Sequence, residues 1–306
     1  MQPSFKLVTL GSSGGPFEDR GSGYLLAPLG SNAFIALDGG SLLGGIQEAL
    51  EMGQLDEVPL YDEHLSPIGV FFQRYVVAYL ISHPHLDHVL GLIVNSQVDG
   101  KKRIFGSDFT IDNIRDHLFN GTIWPNCGDE GEGSLHQYTY VRLKSHLKVS
   151  IPETEMSVEA FPLSHSRGYT STAFLIESGG EAIVYFGDTG SDLYEQGHCL
   201  EKIWDRLAPL VRADRLHALI LECSYSAEEG HALYGHLNSS LFLRELHRFQ
   251  EIAKTPLSSL NVVVTHRKSA LEKGPGRPAL IADELRFGND LNCHLFFPEC
   301  GDRLIL

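Results

Sequence analysis

Residues 79–96 read Tyr-Leu-Ile-Ser-His-Pro-His-Leu-Asp-His-Val-Leu-Gly-Leu-Ile-Val-Asn-Ser. The apolar run 76–81 that leads into the histidines has the pattern of a short buried strand. His83, His85, Asp87 and His88 then place four potential metal ligands within six residues. Pro84 has no backbone N–H and biases the residue before it away from helix, so the ligands fall on a strand-to-helix turn. In an extended turn His83 and His85 point to the same side and can grip one ion. Asp87 and His88 open the next helical segment, 86–96, and can turn toward a second ion nearby. Neutral imidazole with carboxylate is the donor set of zinc, or of manganese or iron at a mixed nitrogen–oxygen site.

This run resembles the metallo-β-lactamase superfamily. With Leu86 and the apolar tail that ends at Ser96, it is similar more narrowly to the class II cyclic-nucleotide phosphodiesterases. The resemblance implies an α/β fold, the metallo-β-lactamase-like four-layer αββα sandwich, with residues 1–306 as a single domain.

Composition agrees with a large packed core. Hydrophobic residues make up 42% of the 306 and charged ones 21%. No apolar run reaches the roughly eighteen residues that a membrane span needs, and no secretory signal is visible. A cytoplasmic location is therefore expected. The net charge of −15 disfavours a nucleic-acid polymer as partner. The one basic run, Lys101-Lys102-Arg103, reads as a solvated strand edge. Five cysteines without CxxC spacing read as buried thiols of a reducing compartment.

Along the chain, 5–10 reads as an opening strand and Gly11-Ser-Ser-Gly-Gly-Pro16 as a plain turn. Segments 24–27 and 33–37 read as a hairpin ending at Asp38-Gly39-Gly40, 42–52 as an amphipathic helix, and 53–70 as a loop. Ser107 and Asp108 are a plausible N-cap for a helix through Leu118. Residues 119–137 have no periodicity, which marks a functional or mobile segment. Strands follow at 173–176, 182–186, 217–222 and 261–265, with helices at 199–211 and from Asn238 to about Ala253.

The resemblance assigns roles to these positions. It implies two divalent ions, Zn2+ first and Mn2+ or Fe2+ as alternatives. His83, His85, His165 and Asp188 would hold one; Asp87, His88, His266 and Asp188 would hold the other. Asp38 would orient a metal-bound imidazole from behind. A hydroxide between the ions would attack the phosphorus of cAMP or cGMP, with Asp87 among the catalytic residues. His236, in Tyr-Gly-His-Leu-Asn, would protonate the leaving 3′ oxygen, with Glu222 orienting it. Phe119-Asn-Gly-Thr-Ile-Trp124-Pro-Asn126 also resembles the family and is expected to frame the substrate pocket. Trp124, Asn126 and Asn238 are the expected substrate contacts, with Trp124 or Phe119 either stacking on a purine or serving as a core aromatic. Arg267 stands where the family more often has an apolar residue, which bears on local phosphate contacts. The expected partner is a small cyclic nucleotide, with no membrane; a homodimer is compatible with the sequence. Rival readings are a tRNA 3′-end-processing-type endonuclease and, outside enzymes, a nucleotide or metal sensor.

Overall fold

The computed structural model of the chain describes residues 2, 4–166, 168–227, 233–271 and 276–306. Among these, the strands form two seven-stranded sheets. The first runs, edge to edge, through β14 (Arg303–Ile305), β1 (Phe5–Gly11), β2 (Gly23–Pro28), β3 (Phe34–Leu37), β4 (Val76–Leu80), β5 (Lys102–Gly106) and β6 (Tyr138–Arg142). The second runs through β13 (His294–Phe296), β12 (Asn261–Thr265), β11 (Leu216–Glu222), β10 (Glu181–Phe186), β9 (Thr170–Ser178), β8 (Ser157–Ser164) and β7 (Lys148–Ser150). Each sheet joins an antiparallel half to a parallel half, β3 to β6 in the first and β10 to β13 in the second.

Parallel neighbours need crossovers, and helices supply them. These are α1 (Leu43–Glu51), α2 (Pro67–Val70), α3 (Leu86–Asn95) and α4 (Asp108–Asn113) in the first half. The second half has α5 (Asp192–Glu195), α6 (Cys199–Arg212), α7 (Ser239–Ala253) and α8 (Arg277–Gly288). The Ser107 hydroxyl caps α4 by accepting from Thr110 N, as its position predicts. The backbone then continues from Ile114 to Leu118 as a wider helical turn.

β1, β10 and β11, and the 173–176 stretch of β9, are mostly apolar because both of their faces are covered. Phe5, Leu7, Tyr24 and Ile35 of the first sheet meet Phe174, Ile176, Ile183, Ile220 and Val263 of the second in a shared core. The reverse of the first sheet packs Val8, Leu25 and Ala36 on Ile46, Val89, Leu92 and Ile111 of its helices. The reverse of the second packs Leu175, Val184 and Leu219 on Trp204, Phe242, Leu246 and Leu285. Each fully buried side chain of this kind contributes about 1.5–3 kcal/mol. The result is the expected four-layer αββα sandwich.

Two expectations change. Lys102 is not on a solvated edge: it is buried, and its ammonium is held by Asp99 and by the carbonyl of Phe72. Beyond His266, where motif reading stops, β13 and β14 complete the two sheets, with α8 leading into β13. The five cysteines are unpaired, three of them buried. No helix of the described residues is long and apolar enough to cross a membrane.

Candidate metal centre

The polar residues of interest leave the carboxyl ends of their strands at one rim of the sandwich. β4 runs into His83, β8 into His165, β10 into Asp188 and β12 into His266. Open α/β sheets concentrate binding residues at such ends. Asp188 is buried at the middle of this cluster. Its Oδ2 lies 3.7 Å from Nε2 of His83, 3.7 Å from Nε2 of His165 and 3.3 Å from Nε2 of His266. Its Oδ1 lies 3.3 Å from Nε2 of His88. His85 Nδ1 stands 3.0 Å from His83 Nε2 and 3.2 Å from His165 Nε2. On the other side, Asp87 Oδ2 is 3.3 Å from His266 Nε2.

The hydrogen bonds behind the rings assign their tautomers. His88 Nδ1 donates to Asp38 Oδ2 at 2.7 Å, and His165 Nδ1 donates to the carbonyl of Gly235 at 2.9 Å. Ser82 gives its one proton to Asp38 and therefore accepts from His83 Nδ1. Ser224 gives its proton to Glu222 and accepts from His266 Nδ1. In their neutral forms these four imidazoles turn Nε2 lone pairs toward one carboxylate. His88 Nε2 is buried and hydrogen-bonded to nothing. Lone pairs gathered in this way repel one another unless a cation lies among them, so the donor set fits divalent metal.

The electrostatics divide the rings. Burial, reinforced by the neighbouring histidines, holds His83 well below its ordinary value and lowers His85 to about 4; burial also lowers His165. Burial opposes charge on Asp188 too, yet His266, His88 and His236 outweigh it and keep the carboxylate ionised. His88 behaves oppositely: burial would lower it, but Asp188, Asp38 and Asp87 raise it. Asp38 accepts from Ser82 N, Ser82 Oγ, His88 Nδ1 and Tyr185 Oη. Asp38 and His266 both adopt left-handed backbone, at φ 57° and 53°, a strain characteristic of functional positions.

Beside the cluster, His236 Nδ1 donates to Glu222 Oε1 at 2.8 Å, and Glu222 also accepts from Thr189 N and Ser224 Oγ. His236 follows a turn at Gly235 (φ 77°), where an added Cβ would meet Ser166 N at 2.0 Å. Burial lowers His236 to about 4, and burial together with Asp188 raises Glu222 to about 7.

Comparison with known proteins resolves the family. The family model of class-II cAMP phosphodiesterases matches residues 5–293. The chain belongs to this family. It is 36% identical over 305 residues to a 3′,5′-cyclic-nucleotide phosphodiesterase of Aliivibrio fischeri, covering 98% of this chain and 92% of the relative. It superposes on unliganded yeast PDE1 with a TM-score of 0.87 at 27% identity, covering 100% of both chains. Human tRNase Z, short form, shares the fold, with a TM-score of 0.54 at 15% identity and 98% of each chain covered.

Within this family framework, the structure gathers His83, His85, Asp87, His88, His165, Asp188 and His266 at one centre, with Asp38 behind His88. It also draws His236 in: its ring stacks 5.1 Å from His266, and candidate ligand atoms of His236, His266 and Asp188 lie within 4.8 Å of one another. The sequence reading kept His236 apart from the ligands.

Trp124 and Asn126, two of the three expected substrate contacts, lie elsewhere. Trp124 Nε1 donates to Ser96 Oγ, ten residues beyond Leu86 and so about 15 Å along the α3 direction from the metal turn. Asn126 Nδ2 ties its own loop through the carbonyls of Glu130 and Glu132, and Phe119 is fully buried in the core. Segment 119–137 therefore closes the opposite end of the first sheet and does not frame the centre. Asn238 Oδ1 caps α7 by accepting from Leu241 N. Arg267 is buried and turned to Pro298 O and Glu299.

Other contributors went unread. The glycine loop is no plain turn: Gly15 N donates to Asp87 Oδ2, and a Cβ at Gly14 would overlap the His266 ring at 2.0 Å. Ser82, Tyr185 and Ser224 hold the ligand rings or Asp38, and Tyr169 stacks on His85 at 4.5 Å. Ser224 lies two residues after Glu222, hence on the same side of an extended segment, and this spacing is the one signal that could have found it.

Proposed function

We propose that the chain hydrolyses 3′,5′-cyclic nucleotides, cAMP or cGMP, to 5′-monophosphates at this centre. The observation that carries the reading is the ring of inward Nε2 lone pairs around Asp188 with the His236–Glu222 pair beside it. His83, His85, His165 and Asp188 would hold one ion and Asp87, His88, His266 and Asp188 a second. Zn2+ is the first choice and Mn2+ or Fe2+ the alternatives. When bound, such ions neutralise phosphodiester charge and lower the pKa of water. The chain's own part is to hold the donor atoms: Asp38, Ser82, Ser224 and the Gly235 carbonyl fix four rings. His236, with its Nδ1–H held by Glu222, would present at Nε2 the proton that the departing 3′ oxygen takes. Glu222 keeps that ring oriented.

The shared core between the sheets supports reading 1–306 as one domain, and five unpaired cysteines support a cytoplasmic setting. A polynucleotide substrate fits less well against a net charge of −15. The test is turnover of cAMP and cGMP by metal-reloaded protein, with products identified by chromatography. Failure to form a 5′-monophosphate from either would overturn the proposal.

A further inference from the structure

We propose that the apolar cleft formed by Gly15, Pro16, Phe17, Leu86, Asp87 and Leu90 seats the purine base of the substrate and does so without reading its edge. The inference rests on the phosphodiesterase reading above and adds to it a base subsite and a specificity.

The cleft holds about 220 Å³. This is below the ~300–1,000 Å³ of sites that take a whole drug-sized ligand and suits a single ring system. Its position is decided by Asp87, which belongs both to the ligand set and to the cleft wall. A molecule whose phosphate rests on the ligand set therefore has the cleft as the adjoining surface. Leu86, between two ligands of the metal turn, is 60% exposed, and Phe17 opposite is 41% exposed. Large apolar side chains left open beside a charged centre mark a ligand surface more than a packing one. The floor is backbone: a Cβ at Gly40 would stand 1.9 Å from the carbonyl of Asp87, which keeps this wall flat.

The other aromatic rings near the centre are already engaged. Tyr169 stacks on His85 with Phe109 edge-on to it. Tyr225, 6.0 Å from His236, carries Lys268 at 5.7 Å and Arg277 at 5.5 Å from its ring centre. Among the described residues no ring or cation covers Phe17. An aromatic face and two leucines offer stacking and burial to any purine. Among the described residues, the only charged group lining the cleft apart from Asp87 is Glu18, which is exposed. With no other polar side chain lining the cleft among the described residues, adenine and guanine are separated weakly, since discrimination of 10⁴ or more needs buried polar groups that the wrong ligand leaves unpaired.

The test uses the metal-loaded full chain and three substrates: cAMP, cGMP and the 3′,5′-cyclic phosphate of methyl ribofuranoside, which has no base. Phe17→Ala should raise KM for both nucleotides roughly tenfold, the order of one lost base–aromatic stack. It should leave kcat nearly unchanged and leave the base-free ester unaffected, which also shows that the variant folds. Phe17→Tyr should restore KM. The parent should use cAMP and cGMP with kcat/KM within about tenfold of each other. Equal effects of Phe17→Ala on all three esters, or none on any, would overturn the subsite, as would transfer of the KM effect to Tyr225→Ala. A cGMP preference well beyond tenfold that Glu18→Gln abolishes would overturn the base-indifferent specificity, since a carboxylate there would be reading the guanine donors. Absence of turnover of every ester by the parent would instead overturn the phosphodiesterase reading, and the subsite with it.

Discussion

Ser224 Oγ lies 2.9 Å from Nδ1 of His266 and accepts its proton, because its own is spent on Glu222 at 2.7 Å. One hydroxyl thereby selects the tautomer of a candidate ligand and braces the acid that orients His236. Ser224→Ala should weaken the ion proposed at Asp87, His88 and His266 by about 10–100-fold, the usual cost of losing such a partner. It should spare the ion at His83, His85 and His165. Chelator competition with zinc reads this directly, and unchanged affinities at both sites would remove Ser224 from the role.

Asp188 faces both halves of the cluster, whereas His266 faces one. Asp188→Ala should therefore lose both ions, while His266→Ala should mainly loosen the one at Asp87 and His88. Elemental analysis after dialysis checks the pair. Equal small losses from the two variants would show that Asp188 does not bridge.

His236 stands 3.7 Å from Asp188 through Nδ1, so its role must be separated from metal binding by experiment. His236→Ala should keep full metal content yet lower cAMP turnover by roughly 10²–10⁴. A nitrophenyl ester, whose leaving group needs no proton, should suffer far less. Glu222→Gln should reproduce the pattern more mildly. Equal losses on both esters, or a missing ion, would mean that His236 serves the metal site and not the leaving group.

Between α6 and α7, Glu245 is buried against Trp204, whose Nε1 donates to it at 3.2 Å. Burial raises this carboxyl above its ordinary value. The folded state then holds the proton more tightly than the unfolded chain. The associated stability is full below the unfolded value of about 4.3 and is lost as pH rises through the folded value. Glu245→Gln keeps the acceptor and removes the ionisation, so its melting temperature relative to the parent should rise between pH 5 and pH 8. A difference that does not change with pH would contradict this.

Much of the centre was legible because each ligand follows a short apolar strand, and a strand end fixes both the place and the side from which a side chain projects. The His83–His88 turn needed nothing more. His165, Asp188 and His266 became legible only through their order along the chain. Ser82, Ser224 and Tyr185 stayed hidden, since a hydroxyl acquires meaning from a partner brought to it by tertiary packing. Segment 119–137 was misplaced for a related reason. An aromatic, irregular stretch looks the same at either end of a sheet, and what decides is that α4 runs away from the metal rim and delivers the chain to the far side. The last strands were unread because β14 has only three residues and pairs with β1, nearly the whole chain away.

The ligands are drawn from both sheets: β4 and α3 supply His83, His85, Asp87 and His88, while the strands of the second sheet supply His165, Asp188 and His266. Whatever cation they share is a cross-link between two halves of a folded chain, and binding it is mechanically a clamp. Mass action then makes the rigidity of the whole sandwich a function of free metal, adding RT ln(1 + [M]/Kd) to the cost of opening it. Amides at the carboxyl ends of β4, β10 and β12 should exchange with solvent deuterium faster after chelation, while those in the outer helices α6 and α7 should change little. Metal supply would thus act on the lifetime of the protein as well as on its chemistry.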